Sequence, residues 1–189
     1  MERKTIGFAL TGSFCTFGKI FPVVEKLAME YNIIPIMSEI SATTDTRFGK
    51  CSEHKQKLEI LTGNVVLEST EEAEPIGPKK MLDALIVAPC TGNSIAKIAN
   101  GIADTTVTLA VKSHLRNKRP VIIAVSTNDG LGNNAKNIGM LLNMKNIYLV
   151  PFGQDDCVEK QNSLVADMSK IEETLSFALS GKQIQPVLL

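Results

Sequence analysis

The stretch that decides the fold is Leu85–Ser94, LIVAPCTGNS. Its four apolar residues are followed by a proline and five small residues, and a short continuous apolar run is typical of a parallel strand buried on both faces. We expect Pro89 to end the strand, because proline has no N–H to donate. Thr91, Asn93 and Ser94 are candidate N-caps of a helix that follows. Since ligands of open α/β sheets bind beyond the carboxyl ends of strands, this loop is the first candidate for a binding site.

Apolar runs of the same kind alternate with segments of helical periodicity along the chain. The predicted strands are Thr5–Leu10, Ile33–Met37, Ala84–Ala88, Val121–Val125 and Ile147–Val150, with Val65–Leu67 as a further short candidate. The predicted helices are 18–31 (with Pro22 in its first turn and a start near Phe21), 52–61, 95–100, a helix capped by Asp104 or Thr105 that ends near Leu115, 135–142 and 163–179. This alternation predicts one α/β domain over residues 1–189, with a parallel sheet and helices on both faces. Pro35 indicates that the second strand lies at an edge.

Composition excludes several classes of function. The chain has 189 residues, of which 44% are hydrophobic, and its 20 basic and 20 acidic side chains balance, so nucleic acid and anionic membranes are not expected partners. No apolar run approaches the length of a membrane span. The N-terminal residues lack the pattern of a signal peptide, and we expect a cytoplasmic protein. The four cysteines are scattered, so neither a metal site nor a disulfide is expected.

Three predicted strand exits share a composition of small, neutral residues: Thr11–Ser13, Thr91–Ser94 and Ser126–Asn128. Such loops bring backbone N–H groups close to a phosphate or a planar ring, but they supply no evident acid or base. The segment from Gly12 to Gly18–Lys19 resembles a Walker A loop, yet it has one residue too many and lacks the hydroxyl that would hold magnesium. The first exit also lacks the glycine fingerprint of dinucleotide-binding sites. A cofactor with a single phosphate, such as FMN, remains compatible with these exits.

Four further side chains are candidates for chemistry, and each also has a structural interpretation. Cys90 is interpreted as a small buried apolar residue rather than a nucleophile, and Cys15 as structural. His54 is placed on a polar, solvated helical face. His114 lies near a predicted helix C-terminus, where the helix dipole favours histidine. Neither histidine has a partner that the sequence identifies.

The segment Leu85–Asp104 resembles the signature of the homo-oligomeric flavin-containing cysteine decarboxylases. In that family a hydrophobic strand precedes Pro-Ala-Ser-Ala-Asn-Thr and a helix with a Lys-x-Ala-x-Gly-x-x-Asp run. Here the loop is Pro89–Ser94, and the run is formed by Lys97, Ala99, Gly101 and Asp104. The resemblance covers most of the chain. It implies a three-layer, Rossmann-like (flavodoxin-like) fold, bound FMN, and a homo-oligomer (a trimer or a multiple of it) with the flavin site across the interface between copies.

The resemblance also implies site residues, none of which is a catalytic acid or base. Cofactor contacts are expected from Gly12, Ser13, Phe14, Ser38, Pro89, Cys90, Thr91 and Ser126. Substrate contacts are expected from Asn93 and Asn128. The catalytic histidine of the decarboxylases is missing, because Glu74–Gly77 stands in its place. Their Pro-x-Met-Asn substrate clamp reads Ser126–Asn128 here, which keeps only the asparagine, so cysteine decarboxylation is disfavoured.

Within that family, Leu10–Gly18, Ser38–Phe48 and Ser126–Asn134 resemble a branch that acts on a dicarboxylate. The resemblance implies an oxidoreductase subunit that helps to aromatise a dihydropyridine dicarboxylate, together with a dehydrogenase-like partner that uses NADP or NAD. Aromatisation mainly needs a positioned hydride acceptor, which a cofactor provides. Two alternatives stay open: a non-catalytic flavoprotein-like subunit that activates the nicotinamide-dependent partner, and a flavin-dependent decarboxylase of another substrate.

Overall fold

The structure is a computed structural model that describes residues 3–189. Five parallel strands follow the order β2-β1-β3-β4-β5, and an antiparallel hairpin, β6–β7, joins the carboxyl end of β4. The strands are β1 (Thr5–Leu10), β2 (Asn32–Met37), β3 (Ala84–Cys90), β4 (Val121–Thr127), β5 (Ile147–Leu149), β6 (Phe152–Asp156) and β7 (Lys160–Ala166). The parallel order is that of flavodoxin-like folds, in which the strand order reverses between β1 and β3.

Within residues 3–189, eight α-helices pack on both faces of the sheet and confirm the three-layer architecture. They are α1 (Phe17–Glu30), α2 (Glu39–Thr43), α3 (Cys51–Thr62), α4 (Thr70–Ala73), α5 (Gly92–Ala99), α6 (Thr106–Arg116), α7 (Ala135–Asn143) and α8 (Ile171–Leu179). Helix α1 contacts α3 and α8, whereas α5 contacts α6 and α7. The strands between these two layers are almost fully buried, and every residue of β3 is buried, as the continuous apolar run predicts.

Strand β3 corrects one expectation about Pro89. The strand continues through this proline to Cys90, which pairs with Val125, and the register shifts between Val87 and Cys90. Proline therefore interrupts the ladder without ending it, because the register shift passes over the position that lacks an N–H. Helix α5 then begins at Gly92, with Thr91 as the N-cap that accepts a hydrogen bond from the N–H of Ser94.

The predicted helix over 163–179 is wrong in its first half. Residues 160–166 form β7, a short 3-10 turn follows at 168–170, and only Ile171–Leu179 is helical. The cause is tertiary: Ser126 and Thr127, expected in a loop, extend β4 and pair with Val165 and Leu164. Local periodicity cannot register such a pairing, and tertiary contacts override helical propensity.

Smaller corrections concern helix starts and the loop after β2. Helix α1 begins at Phe17, not near Phe21, so Pro22 lies inside the helix rather than in its first turn. The segment 38–50 is not all loop, since it contains α2. Helix α3 starts at Cys51, whose N–H donates to the carboxylate of Asp45 (2.9 Å), instead of being capped by Ser52. The candidate strand at Val65–Leu67 is reduced to a bridge at Leu67.

Two outer strands of the sheet, β2 and the hairpin strand β6, are partly covered. The prediction that Pro35 marks an edge is confirmed, because β2 is the outermost parallel strand on its side of the sheet. Leu67 lies along this edge: its N–H donates to the carbonyl of Pro35 (2.9 Å), and its carbonyl accepts from Met37 (2.9 Å). At the other edge, Phe152 of β6 exchanges backbone hydrogen bonds with the C-terminal segment 187–189, each of 3.0 Å.

Within residues 3–189, no helix is both long and apolar enough to cross a membrane. The same residues contain no cluster of three or more His, Cys, Asp or Glu side chains that could hold a metal ion.

Candidate functional site

A cavity of about 550 Å³ opens at the carboxyl ends of β1, β3 and β4, next to the point where the strand order reverses. Its size lies in the range of about 300–1,000 Å³ that is usual for small-molecule sites. The three strand exits form one part of its lining, and the β6–β7 hairpin, which pairs with the end of β4, forms another. The lining residues are Gly12, Ser13, Phe14, Cys15, Thr16, Lys19, Thr46, Phe48, Thr91, Gly92, Ser126, Thr127, Asn128, Asp155, Lys160, Ser163, Leu164 and Val165.

Two hydrogen bonds of Thr11 join the exits of β1 and β3. The hydroxyl of Thr11, which is buried, donates to the carbonyl of Pro89 (2.7 Å) and accepts from the backbone N–H of Thr91 (3.0 Å). The two loops that the sequence placed at neighbouring strand ends are thus held together by one side chain. Both loops then contribute to the same wall of the cavity.

Three hydroxyl groups meet on this wall. The Oγ atom of Ser13 lies 2.8 Å from Oγ of Ser126 and 3.2 Å from Oγ1 of Thr16, and the last two are 3.3 Å apart. Thr16 and Ser126 are buried, and no side-chain carboxylate or cation takes part in the cluster. Each hydroxyl has one proton and two acceptor lone pairs, so the cluster can turn donors or acceptors toward a ligand.

Gly92 makes close packing possible at the exit of β3. A Cβ atom at this position would lie 2.5 Å from Oγ1 of Thr127, 2.7 Å from Nδ2 of Asn134 and 2.9 Å from Oδ1 of Asp129. These groups form a network in which Thr127 and Asn134 both donate to the carboxylate of Asp129, at 2.5 and 2.8 Å. The hydrogen bonds from Thr127 and Asn134 lower the pKa of Asp129 from its ordinary value. Asp129 therefore stays ionised and holds the exit of β4 rather than acting as an acid.

The cavity brings together most of the predicted flavin contacts. Gly12, Ser13, Phe14, Thr91 and Ser126 line it, and so does Asn128, the predicted substrate contact. The side chain of Asn128 accepts a hydrogen bond from the hydroxyl of Ser163 at 3.5 Å.

Four predicted site residues do not line the cavity. Ser38 is buried and caps α2 by accepting from Ser41, Asn93 is exposed on the first turn of α5, and Pro89 and Cys90 lie within β3. Burial raises the pKa of the Cys90 thiol far above its usual range, as expected for an apolar packing residue rather than a nucleophile. The roles of these four residues toward a ligand stay predictions.

Neither histidine lines the cavity, both are buried, and His54 is more buried than expected. His54 is not solvated: it packs against Phe17 (ring centroids 5.0 Å apart) and Phe21 (5.8 Å), and burial lowers its pKa. His114 has a partner, because its Nε2 donates to the carbonyl of Pro120 (3.1 Å), and burial lowers its pKa to about 4.

The sequence-based site prediction did not include the charged lining residues, nor Phe48. Phe48 and Thr46 come from the segment after α2, and Asp155, Lys160 and Ser163 come from the unpredicted hairpin. One local signal was present: Asp156 accepts hydrogen bonds from the N–H groups of Val158 and Glu159, at 3.0 and 2.9 Å. Aspartate at such a position is typical of a turn, so the turn between β6 and β7 was readable although the pairing was not.

Comparison with known proteins places the chain among flavin-related proteins. A family model described as Flavoprotein matches residues 1–180. The B subunit of dipicolinate synthase from Bacillus subtilis (strain 168) is 45% identical over 190 residues, which cover 100% of this chain and 95% of that protein. The crystal structure of the corresponding B subunit from Bacillus halodurans C has a TM-score of 0.90 at 45% identity and covers 98% of this chain and 96% of that one. The FMN-dependent cysteine decarboxylase SpaF shares the fold, with a TM-score of 0.64 at 19% identity over 94% and 95% of the two chains.

Proposed function

Because the chain belongs to the flavoprotein family, we propose that it is the B subunit of a dipicolinate synthase and that it binds FMN in the cavity between β1, β3 and β4. In this role it takes part in the oxidation of a dihydrodipicolinate-type precursor to dipicolinate during sporulation. The observation that carries the proposal is the full-length similarity to the B subunits of two dipicolinate synthases, combined with a cavity at the site where flavodoxin-like folds hold FMN.

The residues on the cavity wall fit a flavin. Two of the strand exits line the cavity with a glycine, Gly12 and Gly92, so their backbone is accessible to a ligand. The hydroxyl groups of Ser13, Thr16 and Ser126 can act as hydrogen-bond donors or acceptors. Backbone N–H groups at strand exits suit a phosphate, and neutral hydroxyls suit the polar edge of a planar ring. When bound, a flavin supplies a hydride acceptor, which is the chemistry that aromatisation of a dihydropyridine requires.

The protein's own contribution to such a reaction is binding and orientation. The titratable groups that line the cavity are Cys15, Lys19, Asp155 and Lys160, with no histidine among them. Asn128 and Ser163 place an amide and a hydroxyl beside each other on the hairpin side of the cavity. This set can hold an acidic, planar substrate against the strand exits. It offers no counterpart of the histidine base of the decarboxylases, which disfavours decarboxylation.

A second polypeptide completes the proposed enzyme. We propose that this chain acts with a dehydrogenase-like partner, the A subunit of the synthase, which uses NADP or NAD. Activity needs both polypeptides. This chain assembles as a homo-oligomer in the cytoplasm. Both similar proteins are B subunits of a dipicolinate synthase, which supports the existence of a second polypeptide in the enzyme. An alternative role, activation of the nicotinamide-dependent partner without bound flavin, predicts the same complex but no flavin site.

The deciding experiment is a titration of the purified chain with FMN, followed by flavin fluorescence and absorbance. Saturable quenching at one flavin per chain supports the proposal, and adding the reduced substrate anaerobically should then bleach the flavin absorbance. Absence of binding at high micromolar FMN, for the chain alone and for its complex with the dehydrogenase-like partner, would overturn the flavin assignment. Dipicolinate formation by that flavin-free complex would then favour the activating role.

A further inference from the structure

The flavin contacts proposed above leave two lysines of the cavity lining, Lys19 and Lys160, without an assigned role. Lys19 and Lys160 are the cationic side chains among the residues that line the cavity, and Asp155 is the anionic one, so the described lining carries an excess of positive charge. No other lining residue has a charged side chain. Cationic side chains at a cavity attract anionic ligands.

Lys19 stands where it does not stabilise its own helix. It is the third residue of α1, and cations are unfavourable at the positive N-terminal end of a helix dipole. The first turn of α1 contains no acidic residue, and Lys19 forms no ion pair with any of residues 3–189. Lys19 also borders a second cavity of about 320 Å³ beside the hairpin. The positive charges of its ammonium group and of the helix end therefore reinforce each other at the rim of the site.

Lys160, in β7, lines the cavity from the hairpin. Its Nζ lies 2.9 Å from the carboxylate of Asp155 on the facing strand. An ammonium group has three donors, so this one contact leaves two for a ligand. Further along β7, Ser163 is buried and hydrogen-bonded to Asn128, which places amide and hydroxyl groups on the same side of the cavity.

We infer that Lys160 and Lys19 determine substrate specificity by each holding one carboxylate of a planar dicarboxylate, with Asn128 beside Lys160. This inference rests on the proposed function, since it names the groups that would recognise that substrate class. It assigns the neutral strand exits to the cofactor and the charged hairpin side to the substrate. A monocarboxylate can satisfy only one of the two lysines and therefore binds more weakly than a dicarboxylate of the same ring.

The test uses binding of pyridine-2,6-dicarboxylate and pyridine-2-carboxylate to the purified chain, with and without FMN, in metal-free buffer, by isothermal titration calorimetry. Lys160→Gln and Lys19→Gln should each weaken dicarboxylate binding at least 10-fold and bring it near the affinity of the monocarboxylate. Lys182→Gln, at an exposed lysine outside the cavity lining, should change neither affinity. Asp155→Asn removes an anion and frees a donor of Lys160, so it should tighten dicarboxylate binding.

The outcomes separate this inference from the proposed function. If FMN binds normally but both lysine variants bind the dicarboxylate as the unchanged protein does, the lysine assignment is wrong and the flavin site stands. A wild-type chain that binds FMN but gives no dicarboxylate signal also overturns it. Lysine variants that lose the dicarboxylate but keep FMN affinity, with the opposite effect of Asp155→Asn, support it and exclude misfolding as the cause. If FMN does not bind but the lysines still set dicarboxylate affinity, only the flavin proposal fails.

Discussion

Ser13, at the exit of β1, lies with its Oγ atom 2.8 Å from Oγ of Ser126, which is 113 residues later at the end of β4. Strand β3 lies between β1 and β4 in the sheet. The contact therefore joins the ends of β1 and β4 across the carboxyl end of β3, where the cavity opens. Thr16 closes the group at 3.2 and 3.3 Å from the two serines. A ligand that sits at the carboxyl end of β3 must therefore meet this hydroxyl pair.

We expect Ser13→Ala and Ser126→Ala each to weaken FMN binding by about 5- to 10-fold, because each removes one hydroxyl hydrogen bond of roughly 1 kcal/mol. The double variant should lose less than the product of the two single effects, since the hydroxyls contact each other. The measurement is the dissociation constant from flavin fluorescence. Ser176→Ala, on the exposed face of α8, is the matched control and should bind FMN normally. Equal affinity for all four variants would contradict a flavin at this wall.

Thr11→Val should destabilise the protein by about 2 kcal/mol. Valine keeps the shape of threonine but leaves the buried carbonyl of Pro89 and the N–H of Thr91 without their partner, and an unsatisfied buried group costs about 1–3 kcal/mol. Urea unfolding followed by circular dichroism measures the change. In the control Thr43→Val, an exposed hydroxyl that donates to Glu39 within α2 is lost, and the free energy of unfolding should change by less than about 0.5 kcal/mol. A fully stable Thr11→Val protein would show that the β1 and β3 exits do not depend on this hydroxyl.

Gly92→Ala should both destabilise the fold and weaken ligand binding. The added Cβ would meet the side chains of Thr127, Asn134 and Asp129 at less than 3.0 Å, and relief of such contacts typically costs about 1–3 kcal/mol. The control is Gly139→Ala in α7, where no atom lies within 4 Å of the new Cβ. That change should stabilise the protein by about 0.5–1 kcal/mol through helix propensity. Thermal unfolding of the two variants should therefore shift in opposite directions.

Stability should fall as the pH decreases from 6.5 to about 4, partly because of His114. Burial lowers the pKa of His114 from 6.5 to about 4, so below pH 6.5 the unfolded chain binds a proton that the folded protein excludes. The contribution of His114 is complete above pH 6.5 and is lost as the pH falls through this window, by about 3 kcal/mol in total. Below pH 4 both states bind the proton, and no further loss comes from this residue.

His114→Gln provides the test of that window. Glutamine can still donate to the carbonyl of Pro120, which His114 contacts at 3.1 Å, but it does not titrate. The variant should show a flatter dependence of unfolding free energy on pH between 6.5 and 4, measured by urea unfolding at several pH values. His54, whose pKa burial also lowers, is present in both proteins, so the difference between them isolates His114. Parallel curves would rule out the proposed contribution.

The sequence predicted those parts of the fold that depend on local patterns. The apolar runs at Thr5–Leu10 and Val121–Val125 became β1 and most of β4, and the edge position of Pro35 was confirmed. These features follow from burial and from the missing N–H of proline, which act within a few residues. The neutral half of the cavity was also predictable, because strand exits in a parallel sheet share one edge.

The charged half of the cavity was not predictable in the same way. Lys160 and Asp155 reach the site only because Ser126 and Thr127 extend β4 and pair with Val165 and Leu164. The apolar residues of β7 and α8 are spaced so that a single helix also fits them, and only the long-range pairing separates the two interpretations. The position of Lys19 beside the hairpin was not predictable either, because the sequence relates Lys19 only to the loop that resembles a phosphate-binding loop.

The covered edges of the sheet bear on aggregation. An open outer strand is a template onto which another chain can add, and repeated addition produces insoluble fibres. Here the N–H of Leu67 donates to the carbonyl of Pro35 on β2, and the segment 187–189 forms backbone hydrogen bonds with Phe152 on β6. Removing the last three residues should therefore expose the β6 strand and make the protein precipitate at concentrations that the full chain tolerates. Light scattering of the shortened and the full chain over a range of concentrations measures this, and equal scattering would contradict a protective role of the segment 187–189.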